Sequence, residues 1–128
     1  VIYTGAYVRH TGSMLACPDW PLCNGYLIPP LFGQVGIHFT HRTAAYLLFI
    51  GVIILFLHVR KHYLSDKTLV INSHLMLILV LLQIVTGIAS VLTQLNFTAT
   101  LLHALIITIL FGFQAYVTLY ALRRPAYK

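Results

Sequence analysis

Apolar residues run along this chain in long blocks rather than in the narrow stripe of a surface helix. Three blocks are complete, at 36–58, 69–93 and 98–122. As helices rising about 1.5 Å per residue they measure about 33–38 Å, enough to cross a hydrocarbon core of about 30 Å with some tilt. No Asp, Glu, Lys or Arg occurs between Lys67 and Arg123, a stretch too long for one crossing and suited to two with a turn between them. The polar run Thr93-Gln94-Leu95-Asn96 supplies that turn, and Asn96 or Thr98 can cap the helix that follows. The chain opens on a shorter apolar piece, Val1 to Val8, which cannot span. Residues 1–9 therefore read as the outer end of a helix whose beginning is missing, and 10–35 as a loop. The pattern predicts an all-α integral membrane protein: a single membrane domain over 1–128, with one truncated helix and three complete transmembrane helices.

Composition agrees. Hydrophobic residues make up 59% of the 128 and charged residues only 8%, against about 25% charged in a soluble domain that must cover its surface. The net charge of +6 raises the question of nucleic acid, but the basic residues form no stripe with interleaved aromatics. They lie at the ends of apolar blocks, where membrane topology accounts for them, so the expected partner is the lipid bilayer and not nucleic acid. Arg60, Lys61 and Lys67 fall between the first two spans, and Arg123, Arg124 and Lys128 follow the last. Three helices put both groups on one side, which the positive-inside bias makes cytoplasmic. The chain is thus expected in a cell membrane, multi-pass, with loop 59–68 and the C-terminus inside and 10–35 outside.

The cysteines fit that orientation. Cys17 and Cys23 are the only two and both fall in the outer loop, where an oxidising compartment permits a disulfide. Zinc wants four ligands at closer spacing and c-type haem wants C-x-x-C-H; neither pattern occurs. A structural disulfide is the reading, with a redox-active pair as the alternative.

Seven histidines carry the candidate chemistry. His58 and His62 sit at the inner end of a helix beside Arg60 and Lys61 and read as a solvated interfacial cluster. His74, next to Asn72 and Ser73, reads as a packed, hydrogen-bonded polar residue, and His10 belongs to the mouth of the truncated helix. His41 and His103 differ. Both lie one to two turns below the outer ends of helices running outside to inside, so they share a depth of some 6–10 Å. Ionisable residues inside a membrane are costly and usually face the bundle interior with a function. Two imidazoles at one depth on two helices can clamp a flat macrocycle through its iron, with Phe39, Tyr46 and Phe111 as suitable neighbours. The alternative is a pair of core histidines that hydrogen-bond across helices.

Arg9 and Arg42 are the only Lys or Arg residues on the outer side. A haem entering from outside would turn its propionates toward them, and arginine binds carboxylates through a bidentate fork. Against this stand simple snorkelling of Arg42 to the interface and pairing of either arginine with Asp19.

The run YTGAYVRHTGSMLACPDWPLCNG, then IPPL and IHFTHRTAAYLL, resembles the haem A synthase family, as do LLQIVTG in the second span and LLHALIITILFG in the third. The resemblance covers essentially the whole chain. It implies two similar four-helix halves, each with a histidine pair, one pair holding a haem b cofactor and the other the substrate haem O. It further implies oxidation of a ring methyl of haem O to a formyl group, giving the haem A that terminal oxidases require. On this resemblance His41 and His103 match the axial ligands of the iron, and Cys17 and Cys23 match an outer-loop disulfide pair; Arg9 and Arg42 remain cofactor-binding candidates by their placement.

In the substrate half the family carries a catalytic Glu three residues before the first histidine. Here that position is His38, and the chain contains no Glu. The absent Glu and the basic tail after the last helix point to the C-terminal, haem b-binding half-domain, a fragment without catalytic residues of its own. Haem O would then be met through the missing half, with a haem O synthase or a second copy of the chain as further partners. A bis-histidine cytochrome b serving electron transfer alone is the rival reading.

Overall fold

The computed structural model describes residues 1–123; Arg124 and Lys128, placed above on the basic inner side, lie outside them. Four helices follow in order: α1 (Ile2–His10), α2 (Gly33–His62), α3 (Lys67–Leu92) and α4 (Phe97–Leu122). Among the described residues the only β pairing is one bridge between Cys23 and Tyr26. The fold is all-α, and α2, α3 and α4 are long and apolar enough to cross a membrane.

The helix ends explain themselves locally. α2 starts at Gly33, three residues earlier than the apolar block suggests, because the preceding Pro29-Pro30-Leu31-Phe32 segment lies directly on its first turn. Gly33 has φ +57°, and at Gly36 a Cβ would stand 2.5 Å from the carbonyl carbon and oxygen of Leu31; only glycine admits that approach. At its other end α2 runs to His62, past the expected 58, and Arg60, Lys61 and His62 fill the last turn, where cations favour the helix dipole. Asp66 caps α3, its carboxylate accepting the Leu69 N–H at 3.1 Å. Of the two caps considered for α4, Asn96 is the one used: its Oδ1 accepts from Thr98 N at 3.0 Å and Ala99 N at 3.4 Å.

Each helix packs on the next, α1 on α2, α2 on α3 and α3 on α4. Val52, Met76, Val80 and Leu110 form the buried centre, with Leu48, Phe49, Leu77, Ile107 and Phe113 around them. Many large apolar side chains lie outside this centre. Ile50, Ile54 and Leu57 of α2, Ile71 and Ile78 of α3, and Leu101 and Leu105 of α4 are all exposed. Apolar surface on that scale is untenable against water but ordinary against lipid.

Candidate functional site

The site is assembled from the outer thirds of the helices. His41 lies eight residues into α2 and His103 six residues into α4, which puts them about 12 Å and about 9 Å below the helix starts. Both side chains are half-buried, and they lie within electrostatic reach of one another. The two imidazoles singled out in the sequence thus lie at similar distances from the starts of helices that are not sequential neighbours.

Each imidazole is held at Nδ1 by the helix that precedes its own. His41 Nδ1 lies 2.9 Å from Thr4 Oγ1 on α1. His103 Nδ1 lies 3.1 Å from the Gln83 carbonyl and 3.3 Å from Thr86 Oγ1 on α3. The backbone also comes very near: a Cβ at Gly5 would stand 3.1 Å from His41 Cε1, and one at Gly87 3.0 Å from His103 Cε1. On its other side His103 Nε2 meets Gln83 Nε2 at 3.2 Å, while the buried Gln83 Oε1 has no hydrogen-bond partner among the described residues. The Gln83 amide thus occupies the ring nitrogen that a metal would take, and would have to turn away from Nε2 for a metal to bind there.

This donor set suits a haem. A ligating histidine ordinarily engages a carbonyl or another acceptor through its second nitrogen, which fixes the ring and leaves the first for the metal. Nδ1 is so engaged in both residues. Among the described residues no group of three or more His, Cys, Asp or Glu side chains gathers; imidazole is a common protein ligand of haem iron, and these two histidines could supply it.

The outer loop closes over this region. Cys17 and Cys23 form a disulfide and both are fully buried. Inside the loop the Asp19 carboxylate accepts the N–H groups of Asn24 at 2.6 Å and Gly25 at 2.8 Å. Those bonds, led by the one from Gly25, hold its pKa below the usual carboxylate value. Arg42 spends its guanidinium on the same loop: Nη2 donates to the Cys17 carbonyl at 2.6 Å, and Nη1 to the carbonyls of Leu22 at 2.9 Å and Asp19 at 3.0 Å. The sequence offered Arg42 a carboxylate, from haem or from Asp19; its contacts in this structure are main-chain oxygens. Arg9 is exposed in the last turn of α1. His38 is buried under the loop, its Nδ1 accepting the Cys17 N–H at 3.4 Å.

The other histidines stand apart. The His58 and His62 rings meet at 4.7 Å on an exposed face at the inner end of α2. His74 Nδ1 lies 2.7 Å from the Val70 carbonyl, and its ring meets Phe56 edge-on at 4.8 Å. His10 is exposed at the end of α1. Sequence reasoning missed Thr4, Gly5, Gln83, Thr86 and Gly87; the signal available to it was the dipeptide Thr-Gly, present once in α1 and again in α3.

Fold and site together define a multi-spanning helical membrane protein with a half-buried imidazole near the start of α2, another near the start of α4, and a disulfide-closed loop fastened to α2. The chain belongs to the COX15-CtaA family of cytochrome oxidase assembly proteins, whose profile matches residues 31–115. It is 46% identical over 126 residues to the haem A synthase of Halalkalibacterium halodurans, an alignment covering 98% of this chain and 42% of that protein. It is 40% identical over 127 residues to the haem A synthase of Alkalihalophilus pseudofirmus (99% and 42%) and 45% identical over 122 residues to that of Staphylococcus carnosus (95% and 39%). The chain spans about two-fifths of the length of these curated relatives. Three apolar spans and these relatives make it a multi-pass membrane protein.

Proposed function

We propose that this chain is the C-terminal, haem b-binding half of a haem A synthase, with His41 and His103 as the two axial ligands. The observation that carries the reading is the matched pair of intramembrane imidazoles, each held through Nδ1 by a neighbouring helix. The absence of any Glu, with His38 three residues before His41, supports this half over the one that would hold substrate. When bound, the haem supplies one-electron chemistry beside the oxidation of a haem O methyl to a formyl group in the protein as a whole. The residues of this chain position that carrier. His41 and His103 present lone pairs from opposite helices, the exposed Arg9 is available to a propionate, and Arg42, the disulfide and His38 keep the loop closed above them and limit entry of water. Haem O, a haem O synthase and a second copy of the protein are the partners this role implies. The basic residues Arg60, Lys61 and Lys67 support an orientation with loop 59–68 in the cytoplasm and the disulfide loop outside.

The test is spectroscopic. In the full-length protein carrying this chain, His41→Ala and His103→Ala should each abolish or strongly disturb a low-spin haem b spectrum, and His58→Ala, His62→Ala and His74→Ala should leave it intact. Loss of the haem in His74→Ala with retention in His103→Ala would overturn the ligand assignment.

A further inference from the structure

Two helix pairs repeat one arrangement, with the same three residue types in the same relation. In α1 and α2 it is Thr4-Gly5 against His41; in α3 and α4 it is Thr86-Gly87 against His103. Each threonine has already committed its only proton. Thr4 Oγ1 donates to the Val1 carbonyl at 2.8 Å, and Thr86 Oγ1 to the Leu82 carbonyl at 2.9 Å. A hydroxyl so engaged faces the imidazole with lone pairs alone. The hydrogen between the two groups must then sit on the histidine, so Nδ1 carries the proton and Nε2 is left bare. At His103 the Gln83 carbonyl, which can only accept, imposes the same assignment from a second direction at 3.1 Å. The adjoining glycine fixes the ring's position rather than its proton. In both pairs the atom nearest the missing Cβ is Cε1, at 3.1 Å and 3.0 Å, closer than a real Cβ would tolerate without displacing the ring.

We propose that Thr4-Gly5 and Thr86-Gly87 are a duplicated positioning element. The threonine sets the tautomer and the glycine sets the seat of each axial histidine, so that both Nε2 atoms are offered to one iron. The inference rests on the reading of His41 and His103 as haem ligands and names what makes them so. A merely structural role for these residues would affect protein yield. The positioning role also affects the haem itself, since an acceptor on Nδ1 raises the basicity of the ligand and favours the ferric state.

The experiment uses the full-length protein purified with its haem, and Thr4→Val, Thr86→Val, Gly5→Ala and Gly87→Ala variants, with Thr4→Ser and Thr86→Ser as conservative partners. Reduction midpoint, ferric electron paramagnetic resonance and haem loss to apomyoglobin are measured on each. Thr4→Val should shift the midpoint positive and lose haem about 10-fold faster, the scale typical of removing such an outer contact; Thr86→Val should move both in the same direction but less, because the Gln83 carbonyl still accepts from His103 Nδ1, and the Ser variants should restore both. The Ala variants should alter the resonance anisotropy, which reports the imidazole planes. Where a Val variant does not accumulate, Thr→Ala at the same position removes the acceptor with less bulk. Unchanged midpoint, resonance and haem loss across these variants would overturn the proposal, as would losses that Ser does not rescue. A wild-type protein without a bis-imidazole signal would instead overturn the reading of the site on which the proposal rests.

Discussion

Replacing Arg42 by Ala tests whether the outer loop is held by this one side chain. Two of its three bonds to loop carbonyls are shielded, at 2.6 Å to Cys17 and 3.0 Å to Asp19, and the third, at 2.9 Å to Leu22, is exposed. A shielded hydrogen bond from a charged donor contributes about 1.5 kcal/mol at the low end of its range, and an exposed one about 0.5. Together that is about 3.5 kcal/mol. The disulfide and the Asp19 contacts remain, so the loss should appear as local opening rather than global unfolding. At 1.4 kcal/mol per factor of ten the opening constant should rise about 300-fold. The assay is amide hydrogen exchange at Cys23 and Tyr26, which donate to each other's carbonyls at 2.9 and 3.0 Å and so report closure of the loop. Core amides of α3 serve as the internal reference. Arg42→Lys should fall between the two, because one ammonium cannot satisfy three separated acceptors as a planar fork does. Exchange at Cys23 and Tyr26 within a few-fold of the wild type in Arg42→Ala would refute the clamp.

Other outcomes follow from the same geometry. Gly36→Ala forces a Cβ to 2.5 Å from the Leu31 backbone and should cost about 1–3 kcal/mol, read as a lower melting temperature in detergent. Gly51→Ala and Gly112→Ala, with nothing within 4 Å, should be neutral or slightly stabilising. Asp19 has a lowered pKa in the folded loop, so its two hydrogen bonds are fully present above the usual carboxylate value and lost as pH falls through the lower folded one. The Asn24 and Gly25 amide resonances should titrate there, and Asp19→Asn should flatten the titration. A topology reporter fused after Lys61 should read as cytoplasmic and one near Asn24 as external; the reverse would invert the orientation proposed from the basic residues.

The spans were legible because charge-free apolar blocks of bilayer length admit few alternatives, and Asn96 was legible as a cap because its place after a polar break is a local signal. Depth along two parallel helices singles out His41 and His103, and the structure adds the Nδ1 partner of each. The partners of Arg42 were not legible. Its acceptors are main-chain carbonyls 20 to 25 positions away, in a loop without periodicity, and a carbonyl leaves no mark in sequence. Gly5 and Gly87 were hidden for a related reason: a glycine that permits contact looks like one that merely occurs until its neighbour across the interface is known. The early start of α2 goes with packing of the Leu31 backbone on Gly36, a local backbone contact to which the hydropathy boundary is blind.

Arg42 follows His41 directly in the chain, so the residue that fastens the loop and the residue that faces the bundle interior share a peptide bond. Within that shared backbone the two side chains take different partners, Arg42 the loop carbonyls and His41 the Thr4 hydroxyl. If loop closure and the setting of the His41 ring are coupled, the coupling is reciprocal: whatever fixes the ring tightens the loop by the amount that a tightened loop favours the ring.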